Sequence, residues 1–108
     1  MSYITDEILE GTEEYIHEAA ERLFDEYSLL ESFHWEQGYD EEGTQFCAEN
    51  FEVNDGAYYG EDRLWRYNVC NQLRWTFDSL EPENLFALYG KNVRVTVTRD
   101  GTETTSLG

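Results

Sequence analysis

The sequence predicts an α+β fold: two long helices packed on a small antiparallel sheet that includes a C-terminal hairpin. Three observations carry this reading. Apolar residues recur at three- and four-residue steps over residues 5–33 and again over residues 61–80. Valines alternate with polar residues in NVRVTVT, residues 92–98. Asp100-Gly101 then gives the strongest short hairpin signal in the chain. With 108 residues, the chain has the length of one domain, 1–108, with one modest core.

The first helix is expected from residue 5 to about residue 33. Ile8, Tyr15, Ile16, Ala19, Ala20, Leu23, Tyr27 and Leu30 supply its periodicity. Thr5 is placed to cap its start, and Asp6 and Glu7 suit the positive end of the helix dipole. Gly11-Thr12 interrupts the pattern and offers a second cap, which divides the segment into a short helix and a long one. Gly38 falls beyond the expected end.

Residues 36–60 are ambiguous, punctuated by Gly38, Gly43, Gly56 and Gly60. Between them TQFCAENFEV fits a bulged strand or two turns of helix, and strand is the reading adopted. Residues 61–80 form the second long helix, with Trp65, Val69, Leu73, Phe77 and Leu80 on one face. Pro82 stops it near Leu80. PENLFALYG follows as a short helix, with Pro82 in its first turn and Gly90 just past its end. In the hairpin, Val93, Val95 and Val97 share one face, while Arg94, Thr96 and Thr98 share the other. TETTS returns as a polar edge strand. A lone hairpin is marginal in water, so the valine face must pack on the helices or the hairpin must gain a third strand. Leu64 and Trp75 point away from the core stripe of the second helix. They meet a second core layer or form an exposed apolar patch, such as a homodimer face.

Composition excludes several classes. A hydrophobic fraction of 40% and an aromatic fraction of 16% are too rich for intrinsic disorder. No apolar run approaches the roughly 18 residues of a membrane span. The opening MSYITDEILE has neither the basic nor the apolar region of a signal peptide. The expected location is therefore the cytoplasm, with Cys47 and Cys70 as reduced thiols, although a disulfide between them stays open. No GxSxG elbow occurs, and no Gly-rich phosphate loop is followed by a lysine; Lys91 is the only lysine. Glu14–His17 and Glu31–His34 are both ExxH, the motif of di-iron bundles. On one helix they would lie about 25 Å apart, too far to share a metal pair. His17 to Glu21 also approaches HExxH but lacks the second histidine. No catalytic residue, metal or cofactor is assigned, and the chain is read as a binding protein. An enzyme built on carboxylates, with or without a metal, ranks last.

Charge is the dominant feature. The net charge is −17, and it is uneven. Residues 1–62 hold 19 acids and one base, Arg22, whereas residues 63–108 hold 5 acids and 6 bases. Such a field repels nucleic acid and anionic membrane and steers basic partners inward. On the first helix Glu7, Glu10, Glu14, Glu18, Glu21 and Asp25 fall in one stripe, at spacings of 3, 4, 4, 3 and 4. They span about 27 Å of helix, one carboxylate every 5–6 Å or so. Duplex DNA presents a phosphate about every 3.4 Å along each strand. Ordinary solvated faces mix signs, because like charges at i, i+4 cost about 0.2–0.5 kcal/mol each. Here nine acids between Asp6 and Glu26 meet only Arg22 and His17. Salt adaptation also yields acidic chains, but five alanines and 17 Glu against 7 Asp weaken that reading.

A second acidic group follows: Asp40, Glu41, Glu42, Glu49, Glu52, Asp55, Glu61 and Asp62. Trp35, Tyr39, Tyr58 and Tyr59 lie in or beside it, and such rings are common interface anchors. Tyr58-Tyr59, between Gly56 and Gly60, is the better surface pair because no periodicity buries it. In size and charge placement, residues 1–62 resemble the small acidic phage-type inhibitors of restriction or CRISPR nucleases and related bacterial DNA mimics. That class is convergent and shares no motif. The resemblance implies a protein that occupies the basic groove of a DNA- or RNA-binding protein, above all a host defence nuclease, in the host cytoplasm if phage-encoded. It implies no direct binding of nucleic acid or membrane. The near-neutral C-terminal part departs from members that are acidic throughout, and leaves room for a second, uncharged contact. The alternative is a small acidic adaptor or dimeric regulator that binds a basic protein without displacing nucleic acid.

Overall fold

The computed structural model describes residues 5–39, 41–54 and 62–108. Seven elements follow in the order α1 (Asp6–Glu26), β1 (Ser32–Tyr39), β2 (Phe46–Val53), α2 (Asp62–Asp78), α3 (Pro82–Tyr89), β3 (Val93–Thr98) and β4 (Gly101–Ser106). The strands form one antiparallel sheet in the order β2-β1-β3-β4. The α+β class is as expected; among the described residues the two long helices are joined by α3, the short helix expected at PENLFALYG, which sends Leu85 into the core.

Thr5 caps α1 through its side-chain oxygen, which accepts from the Ile8 N–H at 3.2 Å. Gly11 does not divide the helix. Thr12 is buried in mid-helix, and its hydroxyl donates back to Ile8 O at 2.8 Å instead of capping a new start. The helix ends at Glu26, seven residues before the expected end. Tyr27 adopts an extended conformation, and its N–H closes the last turn on Leu23 O. Residues beyond it switch period: Phe33, Trp35 and Gln37 alternate into the core. Asn54 pins this entry. Its amide oxygen accepts from the backbone N–H groups of Glu31 and Ser32, and its amide nitrogen donates to Leu29 O.

Gly38 lies inside β1, not beyond a helix. A Cβ there would come within 2.5 Å of Asn92 Oδ1, so a larger residue would push the Asn92 side chain aside at the β3 entry. The bulged-strand reading of TQFCAENFEV holds. Pairing steps from His34↔Glu52 to Glu36↔Glu49, which leaves Asn50 and Phe51 opposite Trp35. Asn50 takes the positive φ of 58° at this bulge. The hairpin gains the third strand it needs: β3 pairs with β1 from Ser32↔Thr98 to Gln37↔Val93. β4 is exposed throughout and forms an edge of the sheet, as its polarity predicts.

The core lies between one face of the sheet and the helices. Trp35 sits at its centre, fully buried, 4.5 Å between ring centroids from Phe77 of α2 and 5.5 Å from Tyr89 of α3. Phe33 stacks on Phe24 of α1. Val69, Leu73 and Phe77 of α2 are buried, with Trp65 and Leu80 packed at the margin. The other face of the sheet is polar. There Arg94 pairs with Glu36 at 2.8 Å, and His34 Nε2 lies 3.3 Å from Glu52. Cys47 and Cys70 are not joined in a disulfide, and the buried Cys70 thiol donates to Phe51 O at 3.4 Å. Among the described residues, no helix is long and apolar enough to cross a membrane.

Candidate functional site

The apolar face of α1 is fixed by Ile16, Ala19, Ala20, Leu23 and Phe24, all buried. That choice forces the acidic stripe outward. Glu7, Glu10, Glu14, Glu18, Glu21 and Asp25 are all exposed. They occupy an arc of about 80° on the side opposite the core. The salt bridges found among the described residues lie on the sheet, and neither includes a residue of α1. The stripe is thus a solvated line of carboxylates on a rigid 21-residue rod. One cation does serve this helix, at its far end. Arg99, from the β3–β4 turn, donates to Phe24 O and Leu30 O and lies over the Phe24 ring. Its charge supports the negative end of the α1 dipole, where the helix has no base of its own.

The second acidic group divides. Glu41 and Glu42 are exposed in the turn between β1 and β2. Glu49 and Glu52 are exposed on β2 but belong to the polar face of the sheet, turned away from α1. Glu49 sits directly across from Glu36, a like-charge pair that is eased by Arg94 and by the Asn50 amide, both bonded to Glu36. These contacts hold the Glu36 carboxyl below its ordinary range, the Arg94 bond being the largest cause. The α1 stripe and the β2 acids therefore do not converge on one surface. Asp40, Asp55, Tyr58, Tyr59, Glu61 and the side chain of Asp62 lie outside the described residues.

Trp35 is not a surface anchor. Its indole N–H donates to Gln37 Oε1 at 2.9 Å, deep in the core. Tyr39, by contrast, is half-exposed and borders a cleft that the sequence did not reveal. Tyr39 meets Phe46 edge-on across the strands at 5.7 Å, and Phe46 meets Phe86 of α3 at 5.4 Å. With Pro82, Glu83 and Ala87 these rings line a largely apolar hollow of about 440 Å³. The acidic turn, Glu41 and Glu42, follows Tyr39 closely in the chain. The missing signal was the placement of α3: Phe46 reads as an ordinary strand residue until Phe86 is packed over it.

Leu64 and Trp75 take the exposed alternative. They are 69% and 78% exposed on α2, and Tyr67 beside them is 60% exposed. Trp75 stands between two hollows. One, about 340 Å³, separates α1 from α2 and is bordered by Tyr15, Arg22 and Glu26. The other, about 290 Å³, is lined by Tyr27, Asn68, Asn71, Gln72 and Trp75.

The two ExxH histidines lie on different elements, so the single-helix distance does not apply to them: His17 is exposed on α1 and His34 is buried on β1. Among the described residues, no three His, Cys, Asp or Glu side chains are placed to hold a metal ion. Comparison with protein-family models, curated proteins and solved structures finds no match to this chain.

Proposed function

We propose that this protein is an acidic mimic of nucleic acid that occupies the basic groove of a DNA- or RNA-binding protein, with a host defence nuclease as the favoured target class. One observation carries the reading: six exposed carboxylates line one arc of α1, and none is ion-paired among the described residues. A basic groove built for phosphates meets in α1 a rigid line of negative charge of comparable pitch. The Tyr39–Phe46–Phe86 cleft, with Glu41 and Glu42 nearby, offers the short-range contact that long-range attraction lacks. Binding in this form calls for no catalytic residue and no cofactor, and it places the protein with its target in the cytoplasm.

The test is direct competition. Candidate nucleases carrying basic grooves are immobilised, and binding is measured with and without duplex DNA or guide RNA. Mimicry requires mutual exclusion. It also requires a collective charge effect: Glu14→Gln alone weakens binding modestly, whereas Glu10, Glu14, Glu18 and Glu21 changed together to Gln lose several-fold per residue at low salt. Unchanged affinity in the fourfold variant would remove α1 as the mimic. Tight binding without competition would favour the second reading, an acidic adaptor or dimeric regulator. That reading draws on the exposed apolar side chains of α2, which a pure charge mimic does not need.

A further inference from the structure

The outward face of α2 has a pattern that the acidic stripe of α1 does not explain. Leu64, Asn68, Asn71 and Trp75 lie within an arc of about 60°, opposite buried Val69, Leu73 and Phe77. Their spacings are 4, 3 and 4, the same read in either direction. A second α2 laid antiparallel therefore sets Leu64 against the partner's Trp75, and Asn68 against the partner's Asn71, each twice.

Shape agrees with the spacing. Leu64 projects from the N-terminal part of this face. The hollow lined by Tyr27, Asn68, Asn71, Gln72 and Trp75 runs from the middle of the helix toward its C-terminal part. A projecting Leu64 and a hollow that reaches Trp75 are features of one surface that a two-fold, self-complementary contact brings together. The two asparagine pairs at the centre can exchange amide hydrogen bonds and fix the register.

Charge selects the occupant. From Arg63 to Phe77 the chain has no Asp or Glu, and Arg63 and Arg74 are both exposed. In a chain of net charge −17, this stretch is poor in acids: Asp62 and Asp78 stand only at its ends, and Glu26 of α1 borders the hollow beside Trp75. The same two arginines disfavour a basic partner here, so this is not the surface that meets the target of the α1 stripe. We propose that α2 forms a symmetric homodimer interface, two copies packing antiparallel across Leu64, Asn68, Asn71 and Trp75.

The contact is small, so the dimer is expected in the micromolar range and above. Sedimentation equilibrium from a few micromolar to a few hundred, at about 0.05 M and 0.5 M salt, reads it. Dimer should increase with concentration and with salt, because screening relieves the repulsion between two acidic copies. Leu64→Glu and Trp75→Glu should each weaken association at least tenfold, with circular dichroism unchanged because both side chains are exposed. Tyr39→Ala should leave it intact. Register is read separately in a Cys47→Ser background: a mixture of Asn68→Cys and Asn71→Cys chains should form the mixed disulfide faster than either chain forms its own. Monomer at every concentration in 0.5 M salt would overturn the proposal. So would a dimer indifferent to Leu64→Glu and Trp75→Glu, or one that weakens as salt rises, since that would mean Arg63 and Arg74 hold an anionic partner instead.

Discussion

Trp35 is the largest side chain without solvent exposure, and its surroundings show how single residues organise this core. Its indole N–H requires an acceptor at full burial. Gln37, two residues along the same face, provides it and then donates to Leu85 O and Gly90 O at the two ends of α3's last turn. One buried amide thus ties the central strand to the end of α3, where the Gly90 carbonyl lies beyond the helix's own hydrogen bonds. Tyr89 completes the group by packing edge-on against Trp35. Burial, with a smaller contribution from the charge on Glu13, pushes its phenol up to about 12. The sign follows from linkage. The unfolded chain ionises this group near its ordinary value of about 10, whereas the folded chain keeps its proton longer. The contribution to stability is full below pH 10 and is lost as pH rises toward 12. Tyr89→Phe keeps the ring contact and removes the ionisation. Its melting temperature should therefore fall less steeply between pH 9 and 11 than that of the parent. Parallel slopes would mean that Tyr89 ionises freely in the fold.

Elements differ in how far the sequence announces them. α2, α3 and the β3–β4 hairpin carry both a period and a punctuation mark: Pro82 begins α3, Gly90 follows it, and Asp100-Gly101 turns the hairpin. β1 carries neither. Leu30 and Phe33 match the continuing helical period of α1 as well as they match a strand entry, and no glycine or proline separates them from Tyr27. What decides is tertiary: Asn54, more than twenty residues away, bonds to Leu29, Glu31 and Ser32 and directs the chain into the sheet. The acidic stripe was legible because it depends only on helical geometry and on which face is buried. The aromatic cleft was not, because it needs β1, β2 and α3 together. On α1 the stripe has an energetic consequence that is independent of any partner. Glu10–Glu14, Glu14–Glu18 and Glu18–Glu21 are like-charge neighbours at i, i+4 or i, i+3. Removing these repulsions should stabilise the helix by on the order of 1 kcal/mol in total at low salt. The fourfold Gln variant should show a higher urea midpoint than the parent at low salt, with little difference at high salt. A lower midpoint would mean that the carboxylates make stabilising contacts in the folded protein.

At the scale of the whole molecule, charge opposes folding, because compaction brings acids together that the unfolded chain keeps apart. Burial does not relieve this repulsion on α1, whose stripe is solvated. Pairing relieves it only locally: among the described residues Arg94 pairs with Glu36 on the sheet. Screening by added salt is the remaining route. Between about 0.02 M and 0.5 M the Debye length falls from roughly 20 Å to roughly 4 Å, below the spacing of successive carboxylates along the stripe. The melting temperature should therefore rise over that range and then level off. Dimerisation through α2 would also raise it with salt, so the measurement belongs at a few micromolar and in the Trp75→Glu variant, where association is removed. A rise that survives in that variant assigns the effect to repulsion within one chain. A flat profile would show that the acids are already compensated, and the view of α1 as an uncompensated line of charge would fall with it. A rise that continues without plateau into molar salt would instead mark adaptation to a saline interior, since screening at short range is complete well before that point.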